Sequence, residues 1–204
     1  MDPTIAVVVD GKTEFWYLQM LKRNEQTIRV NIKPEIPSKK SIKEQYALVR
    51  DLSVREYSKV FWMVDLDVII KETREAPKGA ESPITKFIGY RADLHSNFDN
   101  VSVIVNNPCL EFWFLLHFER TSKYFNGCSA AEKHLKKHLP DYAKTQKYFT
   151  KQGNDIYLRL KPYLSTAIGN ANALERFNKQ ASQKAICEMD LFFRCRELLD
   201  YFGK

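Results

Sequence analysis

The stretch VFWMVDLD, residues 60–67, decides the fold, because an uninterrupted apolar run is followed at once by two acidic residues. Five consecutive apolar residues are typical of a strand that is buried on both faces of a parallel sheet. Residues 5–9 (IAVVV) and 101–105 (VSVIV) have a similar composition, and residues 84–98 have the pattern of a helix that connects the second and third of these strands. The order predicts an α/β fold with a mostly parallel sheet and helices on both faces.

Further elements complete the predicted sheet domain. We expect Thr13 to cap a helix that carries Phe15, Trp16, Leu18, Met20 and Leu21. A fourth strand is expected at residues 27–32 and a helix at residues 42–52. In such a fold, ligands bind beyond the carboxyl ends of the strands.

The second part of the chain has a different pattern, since strand signals fade after residue 118. Helices are expected at residues 130–139, at residues 155–170 and, as a long terminal helix, at residues 182–202. We therefore predict a core formed by residues 1–118 and a helical extension, residues 119–204, that packs on it.

The chain carries a formal net charge of +7 over 204 residues, which favours polyanionic partners. Basic residues cluster after residue 130, where Lys133, Lys136 and Lys137 are expected on one helical face, followed by Lys144, Lys147 and Lys151. A groove that binds nucleic-acid phosphates and an ordinary solvated surface are both open interpretations.

The four cysteines, Cys109, Cys128, Cys187 and Cys195, lack the paired spacing of a zinc site and are interpreted as reduced core thiols. The N-terminal apolar run is too short for a signal peptide, and no stretch approaches the length of a membrane span. A cytoplasmic protein without a membrane partner is expected.

Acidic residues follow the predicted strands. Asp10 and Glu14 come after the first strand, Asp65 and Asp67 after the strand at residues 60–64, and Glu111 lies in the segment NNPCLEFWFLLHF. Oxygen ligands at the carboxyl edge of a sheet are those that Mg²⁺ or Mn²⁺ prefers. On an extended segment, two acids spaced i, i+2 project to one side, so Asp65 and Asp67 could share or bridge cations.

Structural interpretations of these acids stand beside the functional one. Aspartate is common in loops after strands, and D-x-D alone is a weak signal. Glu111 interrupts an otherwise apolar helix and needs a partner, which a lysine or arginine could supply without any catalytic role.

Five segments together resemble the RloB-like family. They are VVVDGKTEFWYL, YSKVFWMVDLD, NNPCLEFWFLLHF, LPDYAK and AIGNANAL, which lie between residues 7 and 174. The resemblance implies a TOPRIM-type fold with a four-stranded, mostly parallel sheet, in which Asp10 with Glu14 and the pair Asp65 and Asp67 bind Mg²⁺ or Mn²⁺. It also implies that Lys144 stabilises charge on the scissile phosphate.

By the same resemblance, the expected function is a metal-dependent nuclease that cuts RNA or DNA with Asp10, Glu14, Asp65, Asp67 and Glu111, as the toxic effector of an anti-phage defence system beside a partner ATPase. Two departures from the family pattern stand out: Asp10 where the family has glutamate, and Gly169 where it has a basic residue. A catalytically weak nucleic-acid-binding or regulatory subunit is therefore an open alternative. A phosphatase similar to the haloacid dehalogenases is a third interpretation, and a homodimer is left open.

Overall fold

The computed structural model describes residues 4–9, 11–33, 40–178 and 183–202. Within them, a five-stranded sheet has the order β2-β1-β3-β4-β5. The first four strands are parallel and the fifth pairs antiparallel with β4. The strands are β1 (Ile5–Val8), β2 (Val30–Lys33), β3 (Lys59–Asp65), β4 (Val101–Asn107) and β5 (Ile186–Cys187). The predicted α/β architecture is confirmed and is consistent with a TOPRIM-like arrangement, with one strand more than the expected four.

Helices connect the parallel strands, as the alternating pattern predicts. They are α1 (Lys12–Asn24), α2 (Ile42–Ser53), α3 (Leu66–Glu75), α4 (Pro83–Asn97) and α5 (Leu110–Leu116). The helix α2 begins with a capping box formed by Ser41 and Glu44, and α4 begins with a proline in its first turn. The prediction that Thr13 caps α1 is wrong, because the N-cap is Gly11 and the Thr13 hydroxyl donates to the adjacent Glu14 carboxylate.

The sheet separates two apolar cores because successive strand residues point to opposite faces. In β3, Phe61 and Met63 belong to the core on the side of α1 and α5, whereas Trp62 and Val64 belong to the core on the side of α2, α3 and α4. The strand is therefore buried on both faces, which is why it has no polar residue between Lys59 and Asp65.

The strand order places a switch point between β1 and β3. The chain passes from β1 to the edge strand β2 and then returns to β3 on the other side of β1. Connections leave these two neighbouring strands in opposite directions, which opens a crevice at their carboxyl ends. The first turn of α1 and the end of β3 meet there.

The C-terminal part consists of short elements packed on the α1 side of the sheet. They are α6 (Cys128–Leu135), α7 (Gln146–Phe149), α8 (Ile156–Leu160), α9 (Leu164–Asn172), α10 (Asp190–Phe193) and α11 (Leu199–Phe202), with 3-10 helices at Lys161–Tyr163 and Arg196–Leu198. Residues of this part share one apolar core with α1 and α5. The predicted division at residue 118 stays a prediction.

The prediction of one long terminal helix is wrong. Residues 186–202 form β5, two short helices and a 3-10 helix instead. Nearly every residue from Ala185 to Phe193 is buried, so the apolar spacing that suggested a helix carries no information about which side faces water. The consequence for the fold is a fifth strand, which covers the edge of β4.

In the described part of the chain, no helix is long and apolar enough to cross a membrane.

Candidate functional site

Glu14 lies at the carboxyl edge of the sheet, in the first turn of α1, where a helix N-terminus favours a negative charge. Its side chain is 5% exposed and folds back over the start of the helix. A Cβ at Gly11 would meet the Glu14 carboxylate in its present position, so a larger residue there would displace this side chain. Asp10, the other acid predicted here, lies outside the described residues.

Asp65 ends β3 and is the N-cap residue of α3, whereas Asp67 lies in the first turn of that helix. The predicted extended D-x-D geometry is therefore wrong, because the helix begins at Leu66. The two charges are still close enough for Asp67 to raise the pKa of Asp65. The Oδ2 atom of Asp67 accepts a hydrogen bond of 3.1 Å from the backbone N–H of Cys128.

The electrostatics of this cluster are unfavourable in the absence of a cation. Burial raises the pKa of Glu14 to about 7, with repulsion from Glu111 adding to the effect, and the Glu14 and Asp65 carboxyl groups are within hydrogen-bonding reach of each other. Burial and the charges of Glu14, Glu111 and Asp67 raise the pKa of Asp65 well above its ordinary value. Among the described residues, Glu14, Asp65 and Asp67 have no ion-pair partner.

Glu111 is fully buried and its partners are now visible. Its Oε1 atom accepts a hydrogen bond of 2.6 Å from the Tyr142 hydroxyl and lies 2.9 Å from Lys144 Nζ. The prediction that this carboxylate needs a partner is confirmed, and the partner is a lysine. Glu111 therefore positions Lys144 at the acidic edge.

Lys144 is predicted from the family pattern as a site residue, and the structure brings it to the acids. Burial alone would lower the pKa of Lys144. The negative charges of Glu111 and Asp65 have a larger, opposite effect, so the pKa lies above its ordinary value. Lys144 thus stays charged at neutral pH. The other lysines of the basic run are arranged differently from the prediction, since α6 ends at Leu135 and Lys136 and Lys137 lie beyond it.

The interpretation of all four cysteines as reduced thiols is wrong for two of them. Cys109 and Cys128 form a disulfide, and their sulfur atoms lie 2.9 Å and 2.8 Å from Glu111 Oε2. No local pattern indicated this pair, because the two cysteines are 19 positions apart and only the packing of α5 against α6 brings them together. Cys187 and Cys195 are free thiols, and burial raises the pKa of Cys195 to about 12.

Sequence reasoning missed Asn106. It is fully buried in β4, in register with Asp65 on the neighbouring strand, and neither atom of its side-chain amide has a hydrogen-bond partner. Paired residues on adjacent strands point to the same face. The available signal was the polar pair Asn106 and Asn107 at the end of an apolar strand.

The donor set fits a hard divalent cation. One carboxylate oxygen of Asp65, Oδ1, is buried without a partner, and the raised pKa values show repulsion that a cation would relieve. No three described carboxylates place one oxygen each within 4.8 Å of one another, since the only such group combines Asp67 with the disulfide pair Cys109 and Cys128. In this arrangement at most two of the described carboxylates could bind one ion directly, and the remaining positions would be left for water and phosphate oxygens.

Comparisons with known proteins give the family. The model of the family described as RloB-like protein matches residues 5–194. Searches of the curated proteins and of the solved structures find no match. The match includes β1 to β5 and every acidic residue of the site. The chain therefore belongs to the RloB-like family.

Proposed function

We propose that this protein is a metal-dependent nuclease that hydrolyses phosphodiester bonds in RNA or DNA, and that it is the toxic effector of an anti-phage defence system beside a partner ATPase. One observation carries the nuclease proposal: the buried Glu14 and the half-buried Asp65 and Asp67, which have no ion-pair partner among the described residues, lie at the switch point of a parallel sheet next to a charged lysine. The defence role and the ATPase rest on the family resemblance alone.

Glu14, Asp65 and Asp67 would hold Mg²⁺ or Mn²⁺, with Asp10 as a further ligand from the family pattern. The bound ion would supply neutralisation of the scissile phosphate and of the charge that develops on it. Asp65 Oδ1 is the best candidate for a direct ligand because it is buried and has no other partner. Only with the cation bound would the acidic cluster be complementary to the negatively charged phosphates of the substrate.

Lys144 would supply positive charge from the protein itself. Its Nζ lies 2.9 Å from Glu111 Oε1, so its position is fixed before substrate binds. A preorganised charge that faces the reacting phosphate stabilises the transition state without reorganisation. Tyr142 donates to the same Glu111 oxygen, and burial with the negative charge of Glu111 raises the pKa of Tyr142, so the phenol remains a donor.

The nuclease proposal is tested by incubating the purified protein with labelled RNA and DNA in Mg²⁺, in Mn²⁺ and in chelator. We expect cleavage only with a divalent cation, and a loss of roughly 100-fold or more in Asp65→Asn. The matched control is Asp51→Asn, an exposed aspartate of α2 that pairs with Arg55. Circular dichroism and thermal melting establish that both variants are folded.

Cleavage by folded Asp65→Asn at the parental rate would exclude the proposal. Nucleic-acid binding without cleavage in either metal would support the alternative, a catalytically weak binding or regulatory subunit, which the neutralisation of Glu111 by Lys144 favours. Turnover of p-nitrophenyl phosphate without cleavage of nucleic acid would indicate a phosphatase instead.

A further inference from the structure

A cleft adjoins the acidic edge on the side of Asp67. Its volume is about 310 Å³, and it lies between α3 and the loop that precedes α6. Cavities of this size are at the lower end of those that bind small ligands. The cleft can therefore hold a single nucleotide, but not a base pair with both of its backbones.

The wall formed by α3 carries positive charge. Asp67, Lys71 and Arg74 are spaced i, i+4 and i+7, so they lie on one face of the helix, and all three line the cleft. At 1.5 Å per residue, Lys71 and Arg74 are about 6 Å and about 10 Å along the axis from Asp67. Both side chains are exposed, and neither has a hydrogen bond or an ion pair with the described residues. Two positively charged side chains without a partner among the described residues thus follow one another along α3, starting next to the acidic cluster.

The opposite wall offers an aromatic ring and an amide. Tyr124 is half-buried and has no ring or hydrogen-bond partner among the described residues, and Asn126 is exposed beside it. The chain turns back to α6 at Gly127, whose φ of +89° favours glycine. An aromatic ring can stack on any nucleobase, and an amide can both donate to a base edge and accept from it.

We propose that this cleft binds one nucleotide of a single-stranded polynucleotide. The base contacts Tyr124 and Asn126, and the phosphates that follow contact Lys71 and Arg74. The phosphate at the inner end of the cleft then reaches Asp67, which belongs to both the cleft and the acidic cluster. This inference rests on the proposed function, because it names the strandedness of the substrate and the residues that align it.

The test is equilibrium binding of fluorescent oligonucleotides in chelator, where cleavage does not occur. Single-stranded RNA, single-stranded DNA and a duplex of the same sequence are compared by anisotropy over a range of salt concentrations. We expect the single strands to bind more tightly than the duplex. The RNA and DNA arms show which sugar the cleft prefers.

The two walls are tested separately. Tyr124→Ala should weaken single-strand binding by roughly 5- to 150-fold, whereas Tyr124→Phe keeps the ring and should bind as the parent does. The double variant Lys71→Gln/Arg74→Gln should weaken binding and reduce the slope of log Kd against log salt by about 1.4 for two lost phosphate contacts. The matched control, Lys22→Gln/Lys43→Gln, removes the same charge from exposed positions outside the cleft and outside the basic run after residue 130.

Equal losses of binding affinity in the cleft and control double variants would show that only the net charge of the protein matters. That result would overturn the inference. Unchanged binding in Tyr124→Ala, tighter binding of the duplex, or no binding by the parent protein would also overturn it. Cleft-dependent binding by a protein that cleaves nothing in Mg²⁺ or Mn²⁺ would leave the inference standing and defeat the nuclease proposal.

Discussion

Carboxylates in two regions of this molecule differ in whether they have a positively charged partner. On the side of the C-terminal elements, Asp155, Glu188 and Asp190 are fully buried and each has an arginine partner. At the carboxyl edge of the sheet, Glu14 is also buried and Asp65 is half-buried with its Oδ1 atom inaccessible, but neither has an ion-pair partner among the described residues. A buried charge without a partner is costly.

The difference separates structural acids from candidate functional ones. Asp190 forms a bidentate pair with Arg176, at 2.6 Å and 2.7 Å, and Glu188 accepts from the backbone N–H groups of Val105 and Phe177. These contacts hold the C-terminal elements against the sheet. Among the described residues, Glu14 and Asp65 have no arginine or lysine at ion-pair distance, so the packing of the fold gives no reason for a carboxylate at these two positions.

The largest expected effect contrasts Asp190 with Asp65. Asp190→Ala should lower the free energy of unfolding by about 2 to 3 kcal/mol, because it breaks the bidentate pair with Arg176, whose 38% exposure keeps the cost below that of a fully buried pair. Asp65→Asn should leave stability in chelator unchanged or raise it, since it removes repulsion from Glu14 and Glu111. Urea unfolding at pH 7.5 measures both. A comparable loss of stability in Asp65→Asn would show that both regions are structural.

The pH dependence of stability sharpens the contrast. The pKa of Glu14 is about 7 in the folded protein against an ordinary 4.5, so the folded state binds more protons between these values. The contribution of Glu14 to the free energy of unfolding in chelator should therefore fall by about 3 kcal/mol as pH rises from 4.5 to 7. Urea unfolding across this range should show that the free energy of unfolding falls more steeply in the parent protein than in Glu14→Gln, in which the raised pKa values of Asp65 and Asp67 still contribute a fall.

His117 acts in the opposite direction, because burial lowers its pKa to about 4. It is present in both proteins, so its contribution cancels when the parent is compared with Glu14→Gln. The control is Glu44→Gln, which changes an exposed capping residue and should keep the parental profile. A profile in Glu14→Gln that matches the parent would contradict the raised pKa.

Lys144 is a cation at the acidic edge, and its loss is expected to affect the reaction more than the fold. Lys144→Gln should slow cleavage by roughly 100-fold, because a preorganised positive charge is removed. Lys144→Arg keeps the charge and should retain part of the rate. Lys147→Gln, an exposed residue of the same basic run, is the control in the cleavage assay. Equal rates in the Lys144→Gln and Lys147→Gln variants would assign Lys144 a purely structural role with Glu111.

The smallest expected effect compares two adjacent asparagines. Asn106 has no hydrogen-bond partner for its buried amide, whereas Asn107 Nδ2 donates to the Lys184 carbonyl at 2.7 Å. Asn106→Leu should raise the free energy of unfolding by about 1 kcal/mol, and Asn107→Leu should lower it by about 1 kcal/mol. Thermal unfolding measures both. A loss of stability in Asn106→Leu would show that its amide has a structural role.

The sequence by itself determined the parallel strands and several of the candidate site residues. Apolar runs at β1, β3 and β4 are buried on both faces, and this burial leaves a signal that does not depend on the rest of the chain. Because parallel strands end at the same edge, Glu14 and Asp65 could be placed together from their positions after β1 and β3. Glu111 could be recognised as a carboxylate in need of a partner because it interrupts an apolar helix.

The partners of these acids and the residues around them depend on tertiary packing and could not be predicted from the sequence. The pairing of Glu111 with Lys144, of Cys109 with Cys128 and of Asp65 with Asn106 joins segments that are distant in the chain. The terminal segment was predicted as a helix because its residues are buried on all sides, and only the free edge of β4 explains why part of it is a strand. A local sequence pattern indicates whether a residue is buried. The contacts of that residue depend on how distant segments pack together, and a local pattern holds no information about that packing.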